Sequence, residues 1–322
     1  MDNLTDISNI SGLDNYGNSC YFNSSLQLLK PVFDTLLQNF NKYDNDLKNK
    51  IVKYYSVYKD NDNLKKMYSY ICEKLSSNKR QQDSHEALSV LLDDIVDNMS
   101  DENKSIFSVR VKYNNLIRCS NCNEFKICND GVEQINNYLI SYCFTDPNMN
   151  RYMNIHKQMP FDKFLGSVLI RENIDTSLLN TFRKENKKCN CDIKYLGMQT
   201  VLTKMPTFLF VYVNRCSFER QTKIFDKLSI SDKFSITTPV SLENRCKYGE
   251  KSNVNNTYNL HGIVYHSGKS MNGGHYYSYI KNIIDQSWYL CNDGIVNKIN
   301  DFDYNDINIQ QNCVILLYIK KN

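Results

Sequence analysis

A single cysteine, Cys20, stands where a turn-prone loop gives way to a helical pattern. The loop reads Gly12-Leu13-Asp14-Asn15-Tyr16-Gly17-Asn18-Ser19, and Leu26, Leu28 and Leu29 follow it ahead of Pro31. A thiol at such a junction sits at a helix N-terminus, where the macrodipole favours the thiolate. The exposed amides there can also hold a developing oxyanion. The competing reading is a buried structural cysteine, because a free thiol behaves as a small hydrophobe. A second group able to do chemistry lies far along the chain, at Gly273-Gly274-His275 and then Asn292-Asp293. Thiol-dependent hydrolysis needs a thiolate, a base that takes and returns a proton, a group that orients the base, and an oxyanion donor.

The elements that must position these residues are legible in outline. Residues 47–75 are polar with spaced apolar positions, including Ile51, Tyr54, Tyr55, Tyr58, Met67, Tyr70 and Ile71. They read as two surface helices broken near Asp60-Asn61-Asp62-Asn63. After Arg80-Gln81-Gln82-Asp83-Ser84-His85-Glu86-Ala87, the residues Leu88, Leu91, Leu92, Ile95 and Val96 keep helical spacing. That is an amphipathic helix with an acidic first turn, in which Asp83 and Glu86 complement the helix dipole. At Phe107 the period changes to two, with Val109, Val111 and Tyr113 alternating with polar residues, so a half-buried strand is expected from there. A helix is expected over 161–170. Residues 202–213 read as a turn followed by a buried strand. Residues 258–266 and 275–280 read as adjacent strands joined by a Gly-rich loop, a third strand runs from Trp288 to Asn292-Asp293, and 314–319 is a closing strand.

Composition narrows the class. Charged residues make up 23% of the 322 and the net charge is +4, which gives no reason to expect a nucleic-acid partner. Asn and Lys are scattered and Gly and Pro are few, a coding bias rather than a functional segment. No signal-peptide pattern opens the chain, and no apolar run is long enough to span a bilayer. The 12 cysteines therefore point to a reducing, intracellular compartment, cytoplasmic or nuclear, with thiols that are free, catalytic or metal-bound. Two close pairs, Cys119/Cys122 and Cys189/Cys191, suggest one tetrahedral structural zinc, with Cys128 as a substitute ligand.

The loop around Cys20 resembles the Cys box of the ubiquitin-specific proteases, Gly-Leu-x-Asn-x-Gly-Asn-Thr-Cys-Tyr-x-Asn-Ser-x-Leu-Gln, with Ser19 in place of Thr. The segment from Gln81 to Ala87 resembles that family's Gln-Gln-Asp-x-His-Glu-Phe box, with Ala87 in place of Phe. Residues 258–294 resemble its His box. The resemblance runs from Gly12 to the C-terminus and is weakest in the middle.

This resemblance implies an α+β, papain-like fold in a single catalytic domain. A helical thumb would cover about 12–100, β fingers 106–201, and a β-sheet palm with the His box 202–322. It implies Cys20 as nucleophile, His275 as base and then acid, Asn292 as orienter, and Asn15 as oxyanion donor. Asp293 is an alternative orienter. Adjacent side chains of a regular strand point to opposite faces, so at most one of Asn292 and Asp293 is expected to face His275. Asp83 and Glu86 would bind the arginine-bearing ubiquitin tail, as carboxylates pair bidentately with guanidinium groups. Gly273 and Gly274 leave the backbone open for a narrow substrate, with His266 and Tyr276 lining the channel and the loop 267–274 moving to admit it. The family's finger zinc uses two Cys-x-x-Cys pairs, of which the second is shortened here to Cys-x-Cys. No catalytic cofactor is implied. The expected activity is hydrolysis of isopeptide and peptide bonds at the C-terminal glycine of ubiquitin, by a monomer acting on ubiquitinated proteins. The rival readings are a non-catalytic ubiquitin-binding scaffold, a protease for a ubiquitin-like modifier, and a zinc-dependent interaction module.

Overall fold

The computed structural model describes residues 9–77, 80–119, 125–129, 133–135, 139–143, 193–217, 222–238, 254–270 and 273–321. The helix expected over 161–170 lies outside them.

Helix α1 (Cys20–Gln38) is the centre of the packing. Most of its residues are buried, because strands β10 (Val254–Ser270) and β11 (Gly273–Lys281) cover one side, and α2 (Asn45–Val57) and α4 (Ser84–Val96) the other. A helix covered all round must satisfy its polar side chains internally. Ser25 Oγ donates to Ser84 O at 2.7 Å, and Gln27 Nε2 to Ser11 O at 2.7 Å. The Lys30 ammonium meets the Asp34 carboxylate at 2.5 Å, both side chains being 2% exposed. Burial pushes the Asp34 carboxyl up to about 6, against the pull of Lys30.

The pair expected over 47–75 forms as α2 and α3 (Asn61–Lys74), capped by Asp44 and Asp60, whose carboxylates accept from Leu47 N and Asp62 N. These are not simply surface helices, since Leu47, Ile51, Tyr54, Leu64 and Ile71 are buried in the main core. A short α5 (Asp101–Lys104) follows α4.

Two main sheets complete the described chain. The smaller has β1 (Arg110–Cys119) paired with β2 (Phe125–Asn129), β3 (Glu133–Ile135) and β5 (Ile193–Lys204). β1 starts at Arg110, later than Phe107. Phe107, Ser108 and Val109 are all buried, and Phe107 and Ser108 close a turn on Lys104 O, so the alternation there belongs to a helix exit. The larger sheet runs β13 (Ile295–Ile299), β12 (Trp288–Asn292), β11, β10, β14 (Cys313–Lys320), β6 (Phe208–Asn214), β4 (Leu139–Cys143), with β9 (Lys233–Thr238) also on β10. β4 comes from the stretch expected to be fingers, yet it adds in parallel to β6 at the edge of this sheet. The hairpin β7 (Cys216–Ser217) and β8 (Thr222–Lys223) and helix α6 (Ile307–Asn312) cover the sheet face away from α1. Arg215, fully buried, ties that layer together by donating to Cys313 O, Ile224 O, Asp226 O and Gln310 O.

His261 sits at a bulge where β10 shifts register against β14. Burial pushes its imidazole down to about 4, so the fold holds it neutral. The unfolded chain takes up a proton near pH 6.5 that the fold refuses, so stability is intact above that pH and is lost as pH falls towards 4, by about 3 kcal/mol at most for this one group. The urea midpoint is expected to fall over this window and to fall less steeply in His261→Leu. An unchanged slope in the variant would show that His261 is not the group responsible.

Candidate active site

Cys20 is the first residue of α1 and only 5% exposed. Burial raises its thiol pKa and the Asp293 charge adds to that, while the backbone N–H groups of Tyr276, Tyr21 and Cys20 itself oppose it. The net direction is up. Desolvation outweighs the helix terminus here, so the thiolate favoured by the sequence reading is not the resting form. The Tyr276 amide also fixes the geometry, because it brings the residue after His275 against the sulfur.

His275 enters the site from β11 with its side chain 39% exposed. Its Nε2 is 2.6 Å from Asn292 Oδ1 and 3.8 Å from Asp293 Oδ2. An amide oxygen only accepts, so this contact assigns the ring proton to Nε2 and leaves the Nδ1 lone pair for a proton from the thiol. Asn292 thus makes the hydrogen bond, and Asp293 still comes close. The alternation rule fails because β12 ends at Asn292 and Asp293 turns left-handed, at φ 49°, into the β12–β13 turn.

The turn at Asp293 holds the Cys20 loop. Asp293 Oδ2 accepts from Asn15 Nδ2 at 2.8 Å, Oδ1 from Asn23 Nδ2 at 2.7 Å, and its backbone carbonyl from Leu13 N at 2.9 Å. Gly12 passes so close that an added Cβ would lie 2.2 Å from Gly294 O. Asn15 Oδ1 faces Ser19 N at 3.4 Å and Ser19 Oγ at 3.3 Å. The Asn15 carboxamide is therefore clamped at both ends, with one N–H still available to an incoming oxyanion. Asn23 was given no role from sequence, although it stands at a specified position of the Cys box.

The residues expected to contact the substrate divide. Asp83 is the N-cap of α4, half-buried, and its carboxylate accepts from His85 N at 3.1 Å. Burial raises its pKa, but the hydrogen bonds and charge of His85 outweigh that and hold it below the usual range. Glu86 is exposed in the first turn. His266 and Tyr276, expected to line a channel, are instead covered, at 0% and 2% exposure, and pack on each other with ring centroids 4.4 Å apart. Both point to the core side of the sheet, opposite His275. Burial, helped by the Lys223 charge, pushes His266 down to about 4. A Cβ added at Gly273 would meet nothing within 4 Å, and the backbone at Gly274 is exposed. It has φ +150°, and a Cβ there would meet Ser267 O at 2.4 Å and His266 Nε2 at 2.6 Å. The expected mobile loop is mostly ladder, with Ser267 paired to His275 and Ser270 to Gly273. Gln81, which the sequence reading quoted without a role, reaches both Gly274 O and Cys20 Sγ.

Of the predicted zinc ligands, Cys119 ends β1, while Cys122, Cys189 and Cys191 lie outside the described residues. Among the described residues no group of three or more His, Cys, Asp or Glu is disposed to hold a metal.

A family model described as ubiquitin carboxyl-terminal hydrolase matches residues 11–318. Ubiquitin carboxyl-terminal hydrolase 25 of Arabidopsis thaliana is 24% identical over 314 residues, which are 89% of this chain and 44% of that protein. The chain thus spans less than half the length of that relative. Ubiquitin carboxyl-terminal hydrolase 12 of Salmo salar is 26% identical over 316 residues, 90% of this chain and 82% of the other. Among solved structures, a SAGA DUB module of Ubp8, Sgf11, Sus1 and Sgf73 bound to monoubiquitin matches with a TM-score of 0.60 at 18% identity, covering 97% of this chain and 69% of that one. The same set of subunits bound to ubiquitin aldehyde matches with a TM-score of 0.60 at 18% identity, covering 97% of this chain and 70% of the other. These likenesses establish the expected α+β fold.

Two substitutions separate the neighbouring residues of the turn. Asn292→Ala removes the acceptor of His275 Nε2 and should lower kcat on the order of 10²-fold, with the Cys20 loop intact. Asp293→Ala releases the Asn15 amide nitrogen and removes a negative charge near the sulfur, so it should lower kcat and also lower the Cys20 thiol pKa. Alkylation of Cys20 across a pH series reads that difference. A thiol pKa shifted alike in both variants would contradict the assignment.

Proposed function

The chain belongs to the ubiquitin carboxyl-terminal hydrolase family, a cysteine-protease class, and on that premise we propose that it is a deubiquitinase cleaving isopeptide and peptide bonds at the C-terminal glycine of ubiquitin. The observation that carries the reading is the 2.6 Å contact of His275 with Asn292, on the strand whose next amide reaches the Cys20 sulfur.

The chemistry follows from the proton inventory. Cys20 rests as a thiol, so His275 Nδ1 takes its proton as Sγ attacks the carbonyl carbon of the glycine. The carbonyl oxygen becomes an oxyanion, stabilised by the free N–H of Asn15 and the backbone N–H of Cys20 at the start of α1. The imidazolium, held through Nε2–H by Asn292, then gives its Nδ1 proton to the departing lysine amine as the C–N bond breaks. A thioester remains. Water attacks it, His275 takes a proton from the water, and the ubiquitin carboxylate leaves as the thiol is restored. In this reading Glu86 on the surface and Asp83 at the helix cap meet the basic tail of ubiquitin. Ubiquitinated proteins are the partners, and the setting is intracellular.

Labelling by a ubiquitin probe with a C-terminal electrophile tests the reading, run beside ubiquitin-like probes. The wild type is expected to form one adduct with the ubiquitin probe, and Cys20→Ala none. Adducts only with a ubiquitin-like probe, or at another cysteine, would overturn it.

We also propose a structural zinc held by Cys119, Cys122, Cys189 and Cys191. Antiparallel pairing of Cys119 with Ile193 supports it, since this joins the two chain segments that carry the cysteine pairs. Such an ion supplies folding energy and no reaction step. Elemental analysis of purified protein should find one zinc per chain, and chelation should lower thermal stability. Zinc-free protein with all four thiols titratable would end the proposal.

A further inference from the structure

Gln81 lies in the loop before α4, facing β11. Its Nε2 is 3.0 Å from Gly274 O and 4.0 Å from Cys20 Sγ, the latter at the outer limit for a hydrogen bond to sulfur. A backbone carbonyl can only accept, so Gly274 O requires the carboxamide to present its nitrogen and not its oxygen. That nitrogen carries two hydrogens. One is spent on Gly274 O, and the other remains for the sulfur. Gly274 in turn lies in β11, next to His275, whose ladder partner is Ser267. The donor is therefore aimed by the same strand that carries His275.

We propose that Gln81 is a catalytic residue, whose carboxamide N–H donates to the Cys20 sulfur and stabilises it as the thiolate when His275 takes its proton. The proposal rests on Cys20 as the nucleophile of the reaction above. The surroundings give it a purpose. The ionisable groups that interact with the sulfur are Asp293 from the β12–β13 turn, Tyr68 from α3 and Tyr276 from β11. Asp293 and burial both oppose a negative charge on the sulfur. The opposing donors are backbone amides of Cys20, Tyr21 and Tyr276, and Gln81 adds a side-chain donor from α4's side of the site.

A second role for the same contacts makes the opposite prediction. If Gln81 merely bridged its loop to Gly274 and kept water out, removing it would hydrate the sulfur and lower the thiol pKa. A donor that is removed raises it. Alkylation by iodoacetamide, followed on the Cys20 peptide by mass spectrometry across a pH series, reads the sign directly. It needs no ubiquitin, so its outcome is separate from that of the ubiquitin probe. In Gln81→Ala, which removes the donor and opens the site to water, the alkylation midpoint should rise by roughly half to one pH unit, slowing neutral-pH labelling roughly 3- to 10-fold. Gln81→Glu, which places a carboxylate beside the sulfur, should shift it further. Gln82→Ala should superimpose on the wild type. A midpoint that stays or falls in Gln81→Ala overturns the proposal.

Discussion

The Asp293 carboxylate is the point at which the two halves of the site are joined. One half is a loop and helix near the N-terminus, and the other is a set of strands more than 250 residues later. Oxygens of this one side chain reach Asn15 and Asn23, and its backbone carbonyl reaches Leu13. A carboxylate is suited to this because it accepts from several donors at once and makes stronger bonds than a neutral acceptor. The same charge raises the thiol pKa of Cys20. The site therefore accepts a weaker resting nucleophile in return for a fixed oxyanion loop. In the proposed mechanism His275 offsets this by removing the thiol proton during attack.

The rigidity behind this arrangement comes from burial on both faces of the large sheet. On one face α1 is packed so completely that even Lys30 and Asp34 are enclosed together, and breaking such a pair by removing one partner typically costs about 3–5 kcal/mol. On the other face Lys223 donates to His266 O, to Gly268 O and to Asn312 Oδ1, and Arg215 donates to four carbonyls. Lys223 pins the end of β10 beneath Gly274, and Arg215 ties the segment after β8 to α6 and the start of β14.

Much of this was legible in the sequence. The helices α2, α3 and α4 follow from their apolar spacing, and β10, β11, β12 and β14 from their alternation and turn residues. The place of Cys20 at the start of α1 and the nearness of His275 to Asn292 follow from the matched boxes. The failures share a cause, which is that sequence patterns do not report what covers a residue. The strand expected from Phe107 forms, but only from Arg110, because residues 107 to 109 are all enclosed at a helix exit. His266 and Tyr276 looked like channel walls because they flank His275 in sequence and register, but strand alternation sends them to the opposite face. Asp293 escaped the alternation rule only because its backbone turns left-handed, a conformation that Asp adopts more readily than most residues.

The helix terminus illustrates how magnitudes decide between two sound arguments. A helix N-terminus offers a thiolate up to about 2 kcal/mol in a partly buried setting. Burial of a charge in a low-dielectric site can shift a pKa by several units, at about 1.4 kcal/mol each. Cys20 is both at the helix start and almost fully covered, so the second effect wins. A thiol that stays protonated until a base is in position is also protected from the stray oxidation and alkylation that a standing thiolate invites. The neutral Asn292 acceptor fits the same scheme. It orients His275 without adding a second negative charge beside a sulfur that Asp293 already discourages from ionising.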